Sequence, residues 1–327
     1  MVSYKQILAS NALVNPQTLQ TAVFVGGTSG IGKLTIKALV STGIPIKIYL
    51  IGRPSSQANT QPFIDELQTI NSKASIIWIS AEVSLLADVK RVCETIKTSE
   101  SRIDLLFLSA GYAPFGPRRE TAEGHEVVQA LEYYSRTLFA LHLLPLLNRS
   151  EHARVVSVLA GGFETTYLID LDDFDLKKKG AFKVWRARPQ YVALTTITMD
   201  RLAKENPGVT FIHSRPGAVN TGNVRRGWAG GSSFVGGALT AVIEFLTWLV
   251  GFSNEESAQR HLFESTSAAF GGRGTPWTGT KGVATAGGLF LVSDTCECTP
   301  NSKVVDVLRG KQEALWEHTQ TILGPYL

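Results

Sequence analysis

Cysteine is scarce: the 327 residues hold three, Cys93, Cys296 and Cys298. So odd and sparse a set argues against a disulfide-stapled scaffold and for a reducing, cytoplasmic setting. Cys296-x-Cys298 lacks a second ligand pair, so no zinc or other metal site is expected. Charge of one sign is lacking too. The formal net charge is +4, and no basic run stands out beyond Lys177-Lys178-Lys179, read as a solvated turn. That argues against a nucleic-acid partner. No linker, internal repeat or low-complexity tract is visible, so residues 1–327 read as a single domain. Residues 1–20 carry polar residues throughout and no apolar core of signal-peptide length. The one long apolar stretch, Phe234 to Phe252, is broken by Thr240, Glu244, Thr247 and glycines. With Gly230, Gly231, Gly236 and Gly237 in or beside it, it is not expected to span a bilayer, and contact with a membrane surface is left open.

What is present begins with Val25-Gly26-Gly27-Thr28-Ser29-Gly30-Ile31-Gly32. It follows the β-branched run Thr21–Val25, which reads as a buried parallel strand, and precedes apolar residues at helical spacing in Lys33–Val40. Strand, glycine turn and helix start together make a dinucleotide-binding crossover. Gly26 allows the tight turn, Gly30 lets backbone approach a pyrophosphate, and Gly32 lets the helix pack on the strand. The helix N-terminus offers free N–H groups and a partial positive charge to phosphates.

Further strands are expected at Ile46–Ile51, Ser75–Ser80, Ile103–Leu108, Arg154–Leu159, Val209–His213 and Gly288–Val292. Helices are expected at about Pro62–Ser72, from Leu85, at Thr121–Leu147, at Arg186–Lys204 and at Val304–Ile322. This alternation implies an α/β fold, a doubly wound parallel sheet of Rossmann type covered on both faces. Ligands of such sheets sit beyond the carboxyl ends of the strands. At the end of the second strand an acid would bind a ribose 2′-hydroxyl, but this chain has Arg53, whose planar fork suits a 2′-phosphate. That favours NADP(H) over NAD(H), unless Arg53 is an ordinary surface arginine.

The spacing Gly-x-x-x-Gly-x-Gly resembles the short-chain dehydrogenase/reductase superfamily, and more elements follow in that family's order. Glu82-Val83 resembles its Asp-Val pair at the adenine. Ser109-Ala110-Gly111 resembles its Asn-Ala-Gly turn with Ser for Asn. Pro216-Gly217-Ala218-Val219-Asn220-Thr221 resembles its Pro-Gly-x-Val-x-Thr turn, whose backbone and threonine hold the nicotinamide carboxamide. The resemblance implies a cofactor site made of Gly26, Thr28, Ser29, Gly30, Ile31, Gly32, Arg53, Glu82, Val83, Ala110, Gly111, Pro216, Gly217, Val219 and Thr221. Val83–Val89, Tyr133–Arg136, Ser157–Gly162 and Trp316-Glu317-His318-Thr319 resemble a filamentous-fungal branch that often accompanies polyketide or terpenoid pathways.

The family's catalytic residues are missing. Counting from fixed landmarks puts Ala160 at the serine position, Val184 at the tyrosine, Arg188 at the lysine and Glu132 at the asparagine. Tyr191 lies on the same helix as Val184, two turns and roughly 10 Å further along. Arg188 could bind the nicotinamide ribose but cannot shuttle protons at neutral pH. A carboxyl deep in an apolar cleft has a raised pKa and can serve as acid or base, which makes Glu132 a candidate. Its alternative is a structural acid paired with Arg136, one helical turn away. Glu132, Tyr191 and Arg188 are therefore the catalytic candidates.

In the family, the region corresponding to about 222–271 is a lid over the substrate, and an apolar lid implies a bulky apolar metabolite. Homo-oligomer formation is left open. Three functions compete: an NADP(H)-dependent oxidoreductase with a non-standard proton donor, a redox-neutral isomerase or cyclase on the same fold, and a catalytically silent nucleotide-binding protein. The intact cofactor turns favour the first over the third, and the missing catalytic residues favour the second over the first.

Overall fold

The computed structural model describes residues 2–112, 117–219, 251–298, 300 and 302–327. Seven parallel strands form one sheet in the order β3-β2-β1-β4-β5-β6-β7. They are β1 (Thr21–Val25), β2 (Ile46–Gly52), β3 (Ala74–Ser80), β4 (Leu105–Leu108), β5 (Arg154–Val158), β6 (Thr210–Ser214) and β7 (Leu289–Val292). Strand order reverses between β1 and β4. The ends of β1, β2 and β4 lie side by side there, with Val25 beside both Ile51 and Leu108. This is the switch point where α/β sheets open a crevice.

Two apolar cores, one on each face, explain why β1, β4, β5 and β6 are buried throughout. One core packs α1 (Tyr4–Asn11), α2 (Gly30–Val40) and α3 (Gln57–Ile70) on the sheet through Ile7, Ile36 and Phe63. The other packs α4 (Leu86–Ser99) through Val89 and Val92. Parallel strands covered on both sides need apolar residues at every position, which is why their sequences run β-branched without alternation.

The long helix expected from Thr121 starts later. Residues before it form a turn closed by an isolated Glu120–Glu126 bridge. Glu126 is the cap, accepting from the Gln129 backbone N–H at 2.8 Å. A short helical turn, α5 (Val127–Gln129), runs into a π-helical turn, Ala130–Tyr134, and then into α6 (Ser135–Leu147). Next on this face comes α7 (Val184–Glu205). The last expected helix is two, α9 (Ser302–Arg309) and α10 (Gln312–Leu323), broken around Gly310.

The lid expected at about 222–271 falls for the most part outside the described residues. Residues 220–250, including most of the apolar stretch and all four glycines beside it, lie outside the described residues. The described part of that range holds α8 (Asn254–Thr266). It is buried from Arg260 to Thr266 and packs on α1 and α2 in the helical layer. Its C-terminal carbonyls are held from within the sheet: the buried Arg154 donates to the carbonyls of Glu264 (3.2 Å) and Ser267 (2.6 Å). A cation at a helix C-terminus also offsets the helix dipole.

Candidate cofactor and catalytic site

A cavity of about 460 Å³ opens at the carboxyl ends of β1, β2 and β4. The glycine turn forms one wall. Gly26 has φ +98°, and a Cβ there would lie 2.5 Å from the Ala110 backbone nitrogen. Only glycine lets the β1 turn come this close to the β4 turn. Thr28, Ser29, Gly30 and Ile31 line the cavity, and α2 begins at Gly30. Its first N–H groups have no partner within the helix and suit phosphate. Gly32 does not line the cavity; it packs against the Gly26 carbonyl and the Ser109 hydroxyl. Arg53, Glu82, Val83, Ala110, Gly111 and Pro216 line it as well. Glu82 takes the Ser84 hydroxyl at 2.9 Å.

Part of the expected cofactor set is elsewhere. Gly217 and Val219 are not cavity-lining among the described residues. Gly217 turns at φ +69° against Asp294 and Phe252. Thr221 and Asn220 lie outside the described residues.

The inner part of the cavity belongs to Glu132. Its side chain is 1% exposed, and Oε2 has no hydrogen-bond partner among the described residues. Burial raises its pKa; Arg188, Arg136 and the Tyr112 backbone N–H oppose that rise without cancelling it. Arg188 Nη1 is 3.7 Å from Glu132 Oε1. A Cβ on Gly111 would sit 2.7 Å from Glu132 Oε1, so the turn after β4 needs glycine for the carboxyl to fit. The π turn sets this geometry. Such turns shift the side-chain register by about one residue relative to an α-helix and recur at functional sites.

The partner expected from helical spacing is not the one observed. Arg136 is buried, but its guanidinium donates to Ser157 Oγ (2.7 Å), the Val158 carbonyl (3.0 Å) and the Ala110 carbonyl (2.8 Å). It ties the ends of β4 and β5 together, and burial lowers its pKa to about 10. Glu132 pairs instead with Arg188, 56 positions on, on α7.

Tyr191 is corrected as a catalytic candidate. It is fully buried in a separate apolar cluster with Val128, Leu176, Ala181 and Ala187. Its hydroxyl donates to Glu126 Oε2 at 2.8 Å. Burial and the Glu126 carboxyl push its pKa far above that of a free tyrosine. It does not line the cavity. It lies three positions after Arg188, so the two lie near one face of α7, but only Arg188 lines the cavity.

Sequence reasoning missed Tyr112 and Arg119, which line the cavity, the Arg119 Nη2 donating to the Tyr112 hydroxyl at 3.3 Å. Tyr112 follows the Ser-Ala-Gly turn directly, and that adjacency was the available signal. Val127, Leu131, Val158 and Leu159 supply apolar wall around Glu132.

Comparison with known proteins fits this geometry. Residues 20–164 match the family model described as short chain dehydrogenase. The oxidoreductase AN1596 of Emericella nidulans is 35% identical over 99% of this chain and 98% of its own. The short-chain dehydrogenase/reductase SAT2 of Stachybotrys chartarum is 31% identical over 67% of this chain and 66% of its own. The chain belongs to the short-chain dehydrogenase/reductase family. Among solved structures, the NADPH-bound carbonyl reductase from chicken fatty liver resembles it with TM-score 0.53 at 14% identity, covering 86% of this chain and 98% of that one. At that identity the likeness concerns the fold, and the seven-stranded parallel sheet agrees with it. As a member of this family the chain is an oxidoreductase-type enzyme. Among the described residues no helix is long and apolar enough to cross a membrane, and no cluster of three metal-ligating side chains occurs.

Proposed function

We propose that this short-chain dehydrogenase/reductase is an NADP(H)-dependent oxidoreductase in which Glu132 exchanges the proton and Arg188 holds the reacting oxygen. The observation that carries the reading is the Glu132 carboxyl. It is buried, has an oxygen without a partner among the described residues, and lines the same cavity as the glycine turn.

The residues fit the cofactor. The turn at Gly26 is too tight for a side chain, the start of α2 offers N–H groups, and Arg53 offers a fork to a 2′-phosphate. When bound, the nicotinamide supplies or accepts a hydride. The chain's own part is the proton. A carboxyl with a raised pKa keeps its proton to higher pH than an ordinary glutamate and donates it to a carbonyl oxygen as that oxygen becomes an alcohol; the carboxylate left behind is stabilised by Arg188. In the oxidative direction the carboxylate takes the alcohol proton. Arg188 stays charged and stabilises negative charge on the oxygen. Val127, Leu131 and Leu159 support an apolar metabolite as substrate. The fungal relatives support a place in specialised metabolism.

A second reading, a redox-neutral isomerase or cyclase, draws on Ala160 and Arg188, neither of which can give up a proton at neutral pH. Glu132 would serve that chemistry as well. NADPH consumption with a panel of apolar ketones and enones decides between them. Turnover with one NADPH consumed per product supports the oxidoreductase, and product formation without NADPH loss supports the alternative.

A further inference from the structure

The sequence Trp316-Glu317-His318-Thr319 lies on α10, and among the described residues nothing after Pro216 lines the cavity. Its last two residues, His318 and Thr319, nevertheless reach the π turn. Thr319 Oγ1 is 2.5 Å from the Tyr133 hydroxyl, which also meets Thr198 Oγ1 at 3.0 Å. His318 Nε2 is 3.2 Å from the Tyr134 hydroxyl and 3.2 Å from Asp175 Oδ1. Tyr134 donates to the same Asp175 oxygen. Asp175 further accepts from Gln129 Nε2 at 3.1 Å and pairs with Lys177 Nζ at 2.8 Å. Tyr133 and Tyr134 are both buried, and the His125 ring lies 5.5 Å from that of Tyr134.

Three consecutive residues of one turn therefore face different surroundings. Glu132 faces the cavity, while Tyr133 and Tyr134 are each held by a hydroxyl. Successive side chains on a helical turn point in different directions set by the backbone, so fixing two of the three fixes the third. A π turn is rare and less regular than an α turn, and tertiary contacts are what hold it in register.

We propose that His318 and Asp175 are positioning residues: by anchoring Tyr134, while Thr319 anchors Tyr133, they hold the π turn in the register that keeps Glu132 aimed into the cavity. This rests on the reading of Glu132 given above. The charged groups around Glu132 are Arg188 on α7, Arg136 on α6 and Glu126 at the helix cap. Those around the anchor are Asp175, Lys177, His318 and His125. Burial works against ionising Asp175, but donors from His318, Lys177 and Tyr134 outweigh it and hold its carboxyl well below the usual range. The anchor therefore carries a fixed negative charge to which both His318 and Tyr134 are bound.

The test needs no substrate. Protein labelled with ¹³C at the glutamate carboxyl is titrated by NMR, and Glu132→Gln identifies the Glu132 signal by its loss. In the wild type this signal titrates above the ordinary glutamate range. In His318→Ala and Tyr134→Phe, the loosened turn lets water reach the carboxyl, and its titration moves down by about one pH unit or more. His318→Gln, whose amide nitrogen replaces Nε2, restores the wild-type curve. Each variant must show one cooperative thermal transition. Tyr134→Phe removes a single hydroxyl and carries the test if His318→Ala does not fold. Folded Tyr134→Phe with an unchanged Glu132 titration overturns the positioning role and leaves the role of Glu132 standing. A wild-type Glu132 that titrates in the ordinary range overturns the role of Glu132 itself.

Discussion

Glu132 and Arg188 face one another at 3.7 Å from two helices, the carboxylate side chain 1% exposed and the guanidinium side chain 33% exposed. The inequality matters. A fully buried carboxyl loses its hydration, while the one-third-exposed arginine keeps part of its own and compensates only in part. Burial thus raises the proton affinity of the carboxyl, and the cation beside it opposes that rise without cancelling it.

Glu132→Gln should lower turnover by about 10²–10⁴-fold, the usual worth of general acid–base catalysis, with little change in NADPH affinity. Steady-state kinetics beside cofactor fluorescence titration would show it. Because the reductive direction needs the protonated carboxyl, wild-type reduction should fall as pH rises past the raised Glu132 pKa, and Glu132→Gln should lose that limb. A variant that retains full turnover would remove Glu132 from the chemistry.

Arg53 should set cofactor preference. A charge-assisted contact to phosphate is worth about 1.5–3 kcal/mol, or one to two powers of ten in affinity. NADPH should bind at least about tenfold more tightly than NADH, and Arg53→Asp should abolish or reverse the difference. Equal affinities in the wild type would leave Arg53 as a surface residue.

Tyr191→Phe should leave turnover within about threefold of wild type, since its hydroxyl is spent on Glu126 outside the cavity. Stability should fall by about 1–3 kcal/mol, because the buried Glu126 oxygen loses one of its donors. Urea unfolding and initial rates measure the two effects separately. A loss of rate without a loss of stability would return Tyr191 to the candidates.

Glu264 makes a prediction about pH. Burial raises its pKa from 4.5 to about 8, against weaker opposing contacts such as those from Ser214 and Arg260. Between those values the folded protein keeps a proton that the unfolded chain has released, so a rise in pH favours unfolding. The stabilisation is complete below about pH 4.5 and is lost as pH climbs towards 8. At about 1.4 kcal/mol per pH unit, the change is on the order of a few kcal/mol. Glu264→Gln should flatten the stability profile between pH 5 and 8.5. Denaturant unfolding at the two pH values checks it, and parallel profiles for variant and wild type would refute the assignment.

Some of this protein is settled by its sequence. Thr21–Val25 with the glycine turn and the helix after it are local matters: neighbours along the chain decide whether a strand is apolar throughout and whether a turn admits a side chain. Arg53 is read in the same way, because the end of β2 is fixed by the strand that leads to it. The strict alternation of strands and helices then leaves a parallel sheet with a crevice at its switch point. Which side chains reach the cavity was decided only by tertiary structure. Tyr191 and Arg188 are three residues apart on one helix, yet one is sealed against Glu126 and the other meets Glu132, and no local pattern distinguishes them. Arg136, the partner that helical spacing offers to Glu132, is drawn away by the carbonyls of Val158 and Ala110, which only the sheet brings near. A carboxyl's proton affinity depends on what surrounds it in space. Here that surrounding is a π turn braced by residues some 40 to 190 positions away, Asp175 and Thr319 among them, and its register is invisible until the chain has folded.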